Sequence, residues 1–345
     1  MRNEACLIFC QSPGDIPYVL KTYEDEYQRG NKITILVVNV YNNYLFLREL
    51  KLELEDLLFI PYKLYNLKQI FKYPLEIRRV KKFCNIHLKK YKFTKFYFYS
   101  VFCDWLTFSI LNQICTRNSD IIYVDYHDSL EKLQRKSFIQ FKYRIYIFLL
   151  YLLSNRVYFD FDIEGQTEYR FKIENYKFIK TKKATSINLD TSKYFIEVPL
   201  KTDRNILLFA NCYYDFFRKE SFYKTYKAIL NIFHSYDYNI VIKYHPREGK
   251  ILEIDSLKDL EYPIYIPAEF INPTGYKFIF GLQTSCLNYF TNNSRIPTYS
   301  LINLFESSDN EQINYIRNYL LINTNNKIKF INSFEQLKEV LEENK

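Results

Sequence analysis

Lys32-Ile33-Thr34-Ile35-Leu36-Val37-Val38-Asn39 is a run of apolar, mostly β-branched residues that closes on a turn former. With no polar alternation inside it, the run predicts a strand covered on both faces, the kind found within a parallel sheet. Upstream, Ala5 to Cys10 reads as a first strand and Pro17 to Arg29 as an amphipathic helix. Strand, helix and buried strand in succession make a βαβ unit.

The alternation continues outward from this unit. Leu57 to Ile60, Phe96 to Tyr99 and Asp120 to Val124 read as strands, with helices expected near Tyr65 to Phe71 and Asp104 to Ile114. A long basic, aromatic helix is expected from about Leu133 to Leu153. Between roughly Thr181 and Asp203 the chain turns polar and charge-mixed with no clear period, which puts a domain boundary there. A second alternation follows. Strands are expected at Asn205 to Ala210, Asn239 to Lys243, Tyr262 to Ile266, Tyr276 to Phe280 and Ile296 to Ser300. Helices are expected at Glu220 to His234, from Thr284, and from Ser333 to Glu343. The expected fold class is α/β, two Rossmann-like βαβ domains facing a cleft, with domains at 1–190 and 191–345.

Composition narrows the function. The 345 residues are 48% hydrophobic, enough for large cores, so a disordered chain is excluded. A net charge of +9 favours anionic partners such as nucleotides, acidic glycans or phospholipid head groups. The 34 Tyr and 30 Phe are spread along the chain with no RNA-binding motif, so no nucleic-acid partner is expected. The seven cysteines, at 6, 10, 84, 103, 115, 212 and 286, are scattered, with no C-x-x-C pair and no His beside them at zinc spacing. They fit buried thiols in a cytoplasmic protein, and no metal is expected. The longest apolar stretch, Ile145 to Leu153, covers about half of the roughly 20 residues a membrane span needs. It reads as a buried helix, and the Lys and Arg around it leave peripheral contact with the inner membrane open.

The chemistry gathers at the ends of expected strands. Ile240-Val241-Ile242-Lys243-Tyr244-His245-Pro246-Arg247-Glu248 runs from a buried strand straight into Lys, His, Pro and Arg, at the strand end where open α/β sheets bind ligands. Lys243 and Arg247 bring positive charge, His245 can carry a proton near neutral pH, and Pro246 restricts the residue before it. This suits a phosphate leaving group; the alternative is a surface turn holding a histidine. Gly281-Leu282-Gln283-Thr284-Ser285-Cys286 puts two hydroxyls and backbone N–H groups at a helix start, an anion site or a simple cap. Glu269 closes another expected strand, where a carboxylate can accept from ribose hydroxyls or stand as a solvated charge. Asp125, just after an expected strand of the first domain, is a candidate base, whereas Asp128 and Ser129 also suit a helix cap. Asp215, in the loop after Asn205 to Ala210, is the rival base or the start of the next helix.

Taken in order, Lys243-Tyr244-His245-Pro246-Arg247-Glu248, then Ile266-Pro267-Ala268-Glu269, then Gly281 with Thr284-Ser285 and Leu287, resemble the C-terminal half of bacterial sialyltransferases of glycosyltransferase family 52, enzymes of lipooligosaccharide and capsule biosynthesis. The resemblance implies a GT-B fold, an acceptor-binding N-terminal domain, a C-terminal domain for CMP-sialic acid, and inverting transfer to a terminal sugar, galactose first, without a metal ion or other cofactor. It further implies that His245 contacts the CMP phosphate and acts as general acid to it. Thr284 and Ser285 would hold that phosphate, with Glu269 at the ribose or cytosine end. The acceptor would be a glycolipid or polysaccharide, and an oligomer is left open. In the first half, Asp125-Tyr126-His127 stands where the family carries an acidic pair and a glycine, and Thr167-Glu168-Tyr169 vaguely matches a later segment; the altered acidic motif keeps Asp215 beside Asp125 as base. Two other functions stand beside this one. A teichoic-acid type glycerophosphotransferase would use CDP-glycerol with the same His-Pro logic, and a non-enzymatic nucleic-acid-binding protein would rest on the +9 charge.

Overall fold

The computed structural model describes residues 4–61, 73–99, 105–116, 118–125, 157–160, 170–173, 179–183, 189–200, 202–210, 216–245 and 260–343. They divide into two compact units, Met1–Asp190 and Thr191–Lys345. The expected helices at 65–71 and 133–153, the Thr167-Glu168-Tyr169 segment, His127, Asp128, Ser129, Asp215, Pro246 and Arg247 lie outside the described residues.

The first unit opens with β1 (Ala5–Cys10), α1 (Ile16–Gln28) and β2 (Lys32–Val38). Every residue of β2 after Lys32 is buried, which is why the run is continuously apolar: both faces are covered and neither needs polar residues. α1 is stopped by Gly30, whose φ of 74° lies in the left-handed region. The Gly30 and Asn31 N–H groups donate back to the Tyr27 and Glu26 carbonyls at 2.9 and 3.1 Å, closing the last turn as a left-handed cap does. The chain continues through α2 (Tyr41–Glu49), β3 (Asp56–Ile60), α3 (Tyr73–Phe83), β4 (Lys95–Phe98), α4 (Trp105–Ile114) and β5 (Asp120–Asp125). β6 (Val157–Asp160) and β7 (Arg170–Ile173) pair antiparallel, and β8 (Ile179–Lys183) follows.

The sheet order is β3-β2-β1-β4-β5-β8, all parallel. This is the doubly wound arrangement in which the order reverses beside the first strand. Its core includes Leu7, Phe9, Leu36, Phe96 and Phe98 from the strands and Val80, Leu106 and Ile110 from the helices. The polar segment beginning at Thr181 is not all linker, because residues up to Lys183 belong to β8, the edge strand that pairs Ile121–Asp125. An edge strand needs no continuous apolar pattern, so Ile179-Lys180-Thr181-Lys182-Lys183 hides its strand character.

The second unit repeats the arrangement. It contains β9 (Asn205–Ala210), α5 (Lys219–Ser235), β10 (Asn239–Tyr244), β11 (Leu260–Glu261), β12 (Phe278–Gly281), α6 (Ser285–Asn293), β13 (Thr298–Ser300), α7 (Asn310–Asn323), β14 (Lys329–Phe330) and α8 (Phe334–Glu342). The order β11-β10-β9-β12-β13-β14 is again parallel throughout. A strand over Tyr262 to Ile266 is not formed. The ladder ends as the Tyr262 N–H donates to the Ile242 carbonyl at 2.8 Å, and Pro263 has no N–H to continue it. The chain then turns, with the Ile266 N–H donating to the Pro263 carbonyl at 3.2 Å.

Candidate functional site

In the second sheet the winding reverses between β9 and β12, and a sheet of this order opens its ligand crevice at the carboxyl ends beside that point. β10 lies next to β9, and its Lys243 is paired in register with Phe209. Lys243 is a cation with only 4% of its surface exposed. Its Nζ donates to the carbonyl oxygens of Tyr244 at 3.1 Å and Ile264 at 3.0 Å. Burial lowers its pKa to about 8, against the opposing pull of Cys286 and Glu269. The turn at Pro263, which replaces the expected strand, is what delivers the Ile264 carbonyl to this ammonium.

Glu269 lies in a 3₁₀ turn, Ala268–Phe270, entered through Pro267, rather than at a strand end. Burial pushes its carboxyl pKa up, while its own backbone N–H and Lys243 pull it down. Cys286, in the first turn of α6, feels both Glu269 and Lys243, and burial pushes its thiol to about 12, so it is not a thiolate nucleophile. Tyr289, one turn further along α6, also feels the Glu269 charge and shares a 2.9 Å hydrogen bond with the Thr191 hydroxyl. Lys243, Glu269, Cys286 and Tyr289 therefore form one electrostatic cluster beside the start of α6.

Thr284 is the N-cap of α6, its Oγ1 accepting from the Cys286 N–H at 3.3 Å. The cap alternative is thus realised, and the hydroxyl still carries its own proton as a donor. Ser285 is exposed and His245, the first residue past β10, is partly exposed. Gly281 holds the strand close to its neighbour: a Cβ there would lie 3.2 Å from the Phe209 Cβ and 3.3 Å from a Leu287 methyl. Ser300 ties the following loop down by donating to the Leu282 carbonyl at 2.7 Å.

The structure thus gathers Lys243 and Glu269 around the helix whose cap is Thr284, and puts His245 next along the chain from β10. Asp125 is the last residue of β5 in the first unit, paired in register with Lys183.

Sequence reasoning missed the turn after β1, at the reversal point of the first sheet. The buried Asp15 carboxylate accepts from the N–H groups of Gln11 and Ser12 and from the Ser12 hydroxyl, each at 2.7 Å. Gln11 reaches across to β4's end, accepting from the Tyr99 N–H at 2.9 Å, and donates to Thr107 at 3.3 Å. The signal was there in the Ser12-to-Asp15 capping spacing ahead of a helix. Among the described residues no group of three or more His, Cys, Asp and Glu could hold a metal ion, and no helix is long and apolar enough to cross a membrane.

No family model and no curated protein matches the chain. Solved structures do. Arabidopsis thaliana UGT89C1 complexed with UDP-L-rhamnose aligns with a TM-score of 0.51 at 11% identity, covering 100% of this chain and 90% of that one. The same protein complexed with UDP gives 0.50 at 11% identity, covering 99% and 90%. CalG4, the calicheamicin glycosyltransferase, gives 0.46 at 10% identity, covering 100% and 90%. Likeness at such identity concerns the fold, which is of the GT-B type with two Rossmann-like units.

Proposed function

We propose that the chain is an inverting glycosyltransferase that moves sialic acid from CMP-sialic acid to a terminal sugar, galactose first, of a bacterial surface glycan. The observation that carries the reading is Lys243, a nearly buried ammonium at the carboxyl end of β10. A buried cation is costly unless something repays its desolvation, and two carbonyl acceptors leave its third N–H for an anion. The first turn of α6 offers a further anion-binding group nearby. A nucleotide's phosphate suits both, and the GT-B fold is shared with a protein crystallised with a nucleotide sugar.

In the mechanism a carboxylate, Asp125 or Asp215, takes the proton of the acceptor hydroxyl as its oxygen attacks the anomeric carbon. The bond from that carbon to the phosphate oxygen breaks, and its electron pair leaves with CMP. His245 protonates or hydrogen-bonds the departing phosphate, assisted by Arg247 beyond Pro246, while Lys243, Thr284 and Ser285 stabilise its charge. Glu269 serves the ribose or cytosine end. Fixed donors of this kind do the work a divalent cation would do on a diphosphate, so activity should persist in EDTA.

The test measures CMP release and transfer from CMP-sialic acid with EDTA present. His245→Ala is expected to lose between a hundredfold and ten-thousandfold in rate, the range for removing a general acid. Whichever of Asp125→Ala and Asp215→Ala loses transfer names the base. Turnover of a UDP-sugar or CDP-glycerol in place of CMP-sialic acid would sink the sialic acid donor and keep a nucleotide-dependent transferase. Binding of none of these would sink both.

A further inference from the structure

The helical run that starts at α3 departs from the rest of the surface in charge. From Tyr73 to Lys92 the chain carries Arg78, Arg79, Lys81, Lys82, Lys89, Lys90 and Lys92 against one acid, Glu76, which is +6 of the whole chain's +9. α3 continues through a π turn, Cys84–Leu88, and a 3₁₀ turn, Lys89–Tyr91, before Lys92 ends the run in the left-handed region with φ 49°. One side of the run is anchored. Val80, Cys84 and Leu88 are buried in the core of the first unit, with Ile77, Phe83 and Tyr91 packed against it.

The other side is cationic and apolar at once. Leu75 is 65% exposed and Ile86 55%, and their spacing puts them on the same face of a helix, with Arg79 and Lys82 at helical spacing between them. Arg79 is offset by Glu76 at 3.3 Å and Lys90 is 3.9 Å from Asp56. Among the described residues Arg78, Lys81, Lys82, Lys89 and Lys92 form no ion pair.

We infer that this face, Leu75 to Lys92, docks the protein on an anionic phospholipid bilayer. Clustered Lys and Arg are drawn to an anionic leaflet, and each contributes on the order of 1 kcal/mol near its surface. Exposed Leu and Ile on the same face distinguish a membrane from a nucleic acid, because only the bilayer has an apolar layer within reach below the phosphates. The buried opposite side makes the helix a fixed ridge of the first unit, so lipid contact requires no unfolding. This inference is independent of the donor and of the reaction.

The experiment is sedimentation of the full chain with phosphatidylcholine vesicles containing roughly one third phosphatidylserine, at about 0.1 M salt. The expected result is binding to these vesicles, little to pure phosphatidylcholine, and release at high salt. Lys81→Ala/Lys82→Ala should weaken binding about tenfold or more. Leu75→Ser/Ile86→Ser should weaken it about tenfold with the salt dependence unchanged. All four positions are exposed, and an unchanged melting curve for each variant verifies the fold. Absence of binding to the anionic vesicles, equal binding to neutral ones, or wild-type binding by either variant would overturn the inference. So would tighter binding to an RNA duplex that is indifferent to Leu75→Ser/Ile86→Ser.

Discussion

Lys243 and Glu26 are buried charges whose pKa values are both lowered, so each makes stability rise with pH across its own window, Lys243 because its charged form is penalised and Glu26 because its charged form is favoured. Lys243 has a folded value of about 8, below its ordinary 10.5. Between those values the unfolded chain holds the proton more tightly, so stability rises with pH across that window, and the full penalty is present below pH 8. The shift corresponds to about 3 kcal/mol. Lys243→Met should remove that rise, as urea melts at pH 7.5 and 10 will report, and should weaken donor binding. In the wild type, donor affinity should fall above about pH 8 as the ammonium deprotonates. For Glu26, fully buried in α1, a shift in the same direction reflects stabilisation of the charged form rather than a penalty on it. Burial raises its pKa, but hydrogen bonds from Tyr97 at 2.8 Å, Asn31 at 2.6 Å and the Cys6 thiol, with the Lys95 charge, outweigh that and hold it at about 2. Its contribution is complete above its ordinary 4.5 and is lost as pH falls toward 2. Glu26→Gln should cost about 3 kcal/mol at neutral pH and flatten acid unfolding between those limits.

Among elements, the helix starts of the second unit make the clearest predictions. Ser333 caps α8 by accepting from the Gln336 N–H at 3.1 Å, and Asp309 caps α7 by accepting from Gln312 at 3.0 Å. Ser333→Ala and Asp309→Ala should each cost about 1 kcal/mol in chemical denaturation. Gly281→Ala should cost on the order of 1–3 kcal/mol, since the Phe209 Cβ is held by its own strand and cannot retreat as a side-chain tip would. The helix at Ser333 was legible because cap and apolar period agree. α7 was not, since exposed Tyr315, Tyr319 and Ile322 blur the period set by buried Ile316 and Leu320. α2 was missed for a related reason: its buried face includes Asn43, which donates to the Ser12 carbonyl at 2.8 Å and so looks polar in the sequence.

At the scale of the molecule, each six-stranded sheet draws its strands from one unit only. Residues 191–345, expressed alone, should therefore unfold in one cooperative transition and keep the nucleotide binding proposed for the full chain, because Lys243, Glu269 and Thr284 all lie within them. Calorimetry with and without CMP will check this; an aggregated or molten fragment would show that the second unit needs the first.

The sequence by itself determined the α/β class, because parallel strands buried on both faces must be written as unbroken apolar runs, as at Ile33 to Val38 and Ile240 to Ile242. It also announced the charged end of β10. Only the tertiary structure decided the order of the strands, the membership of Ile179–Lys183 in the first sheet, and the meeting of Lys243 with Glu269 and the start of α6. Those depend on which distant segments pack side by side, and the perturbed charge of Lys243 depends on the burial that packing creates. No local pattern of residues encodes either.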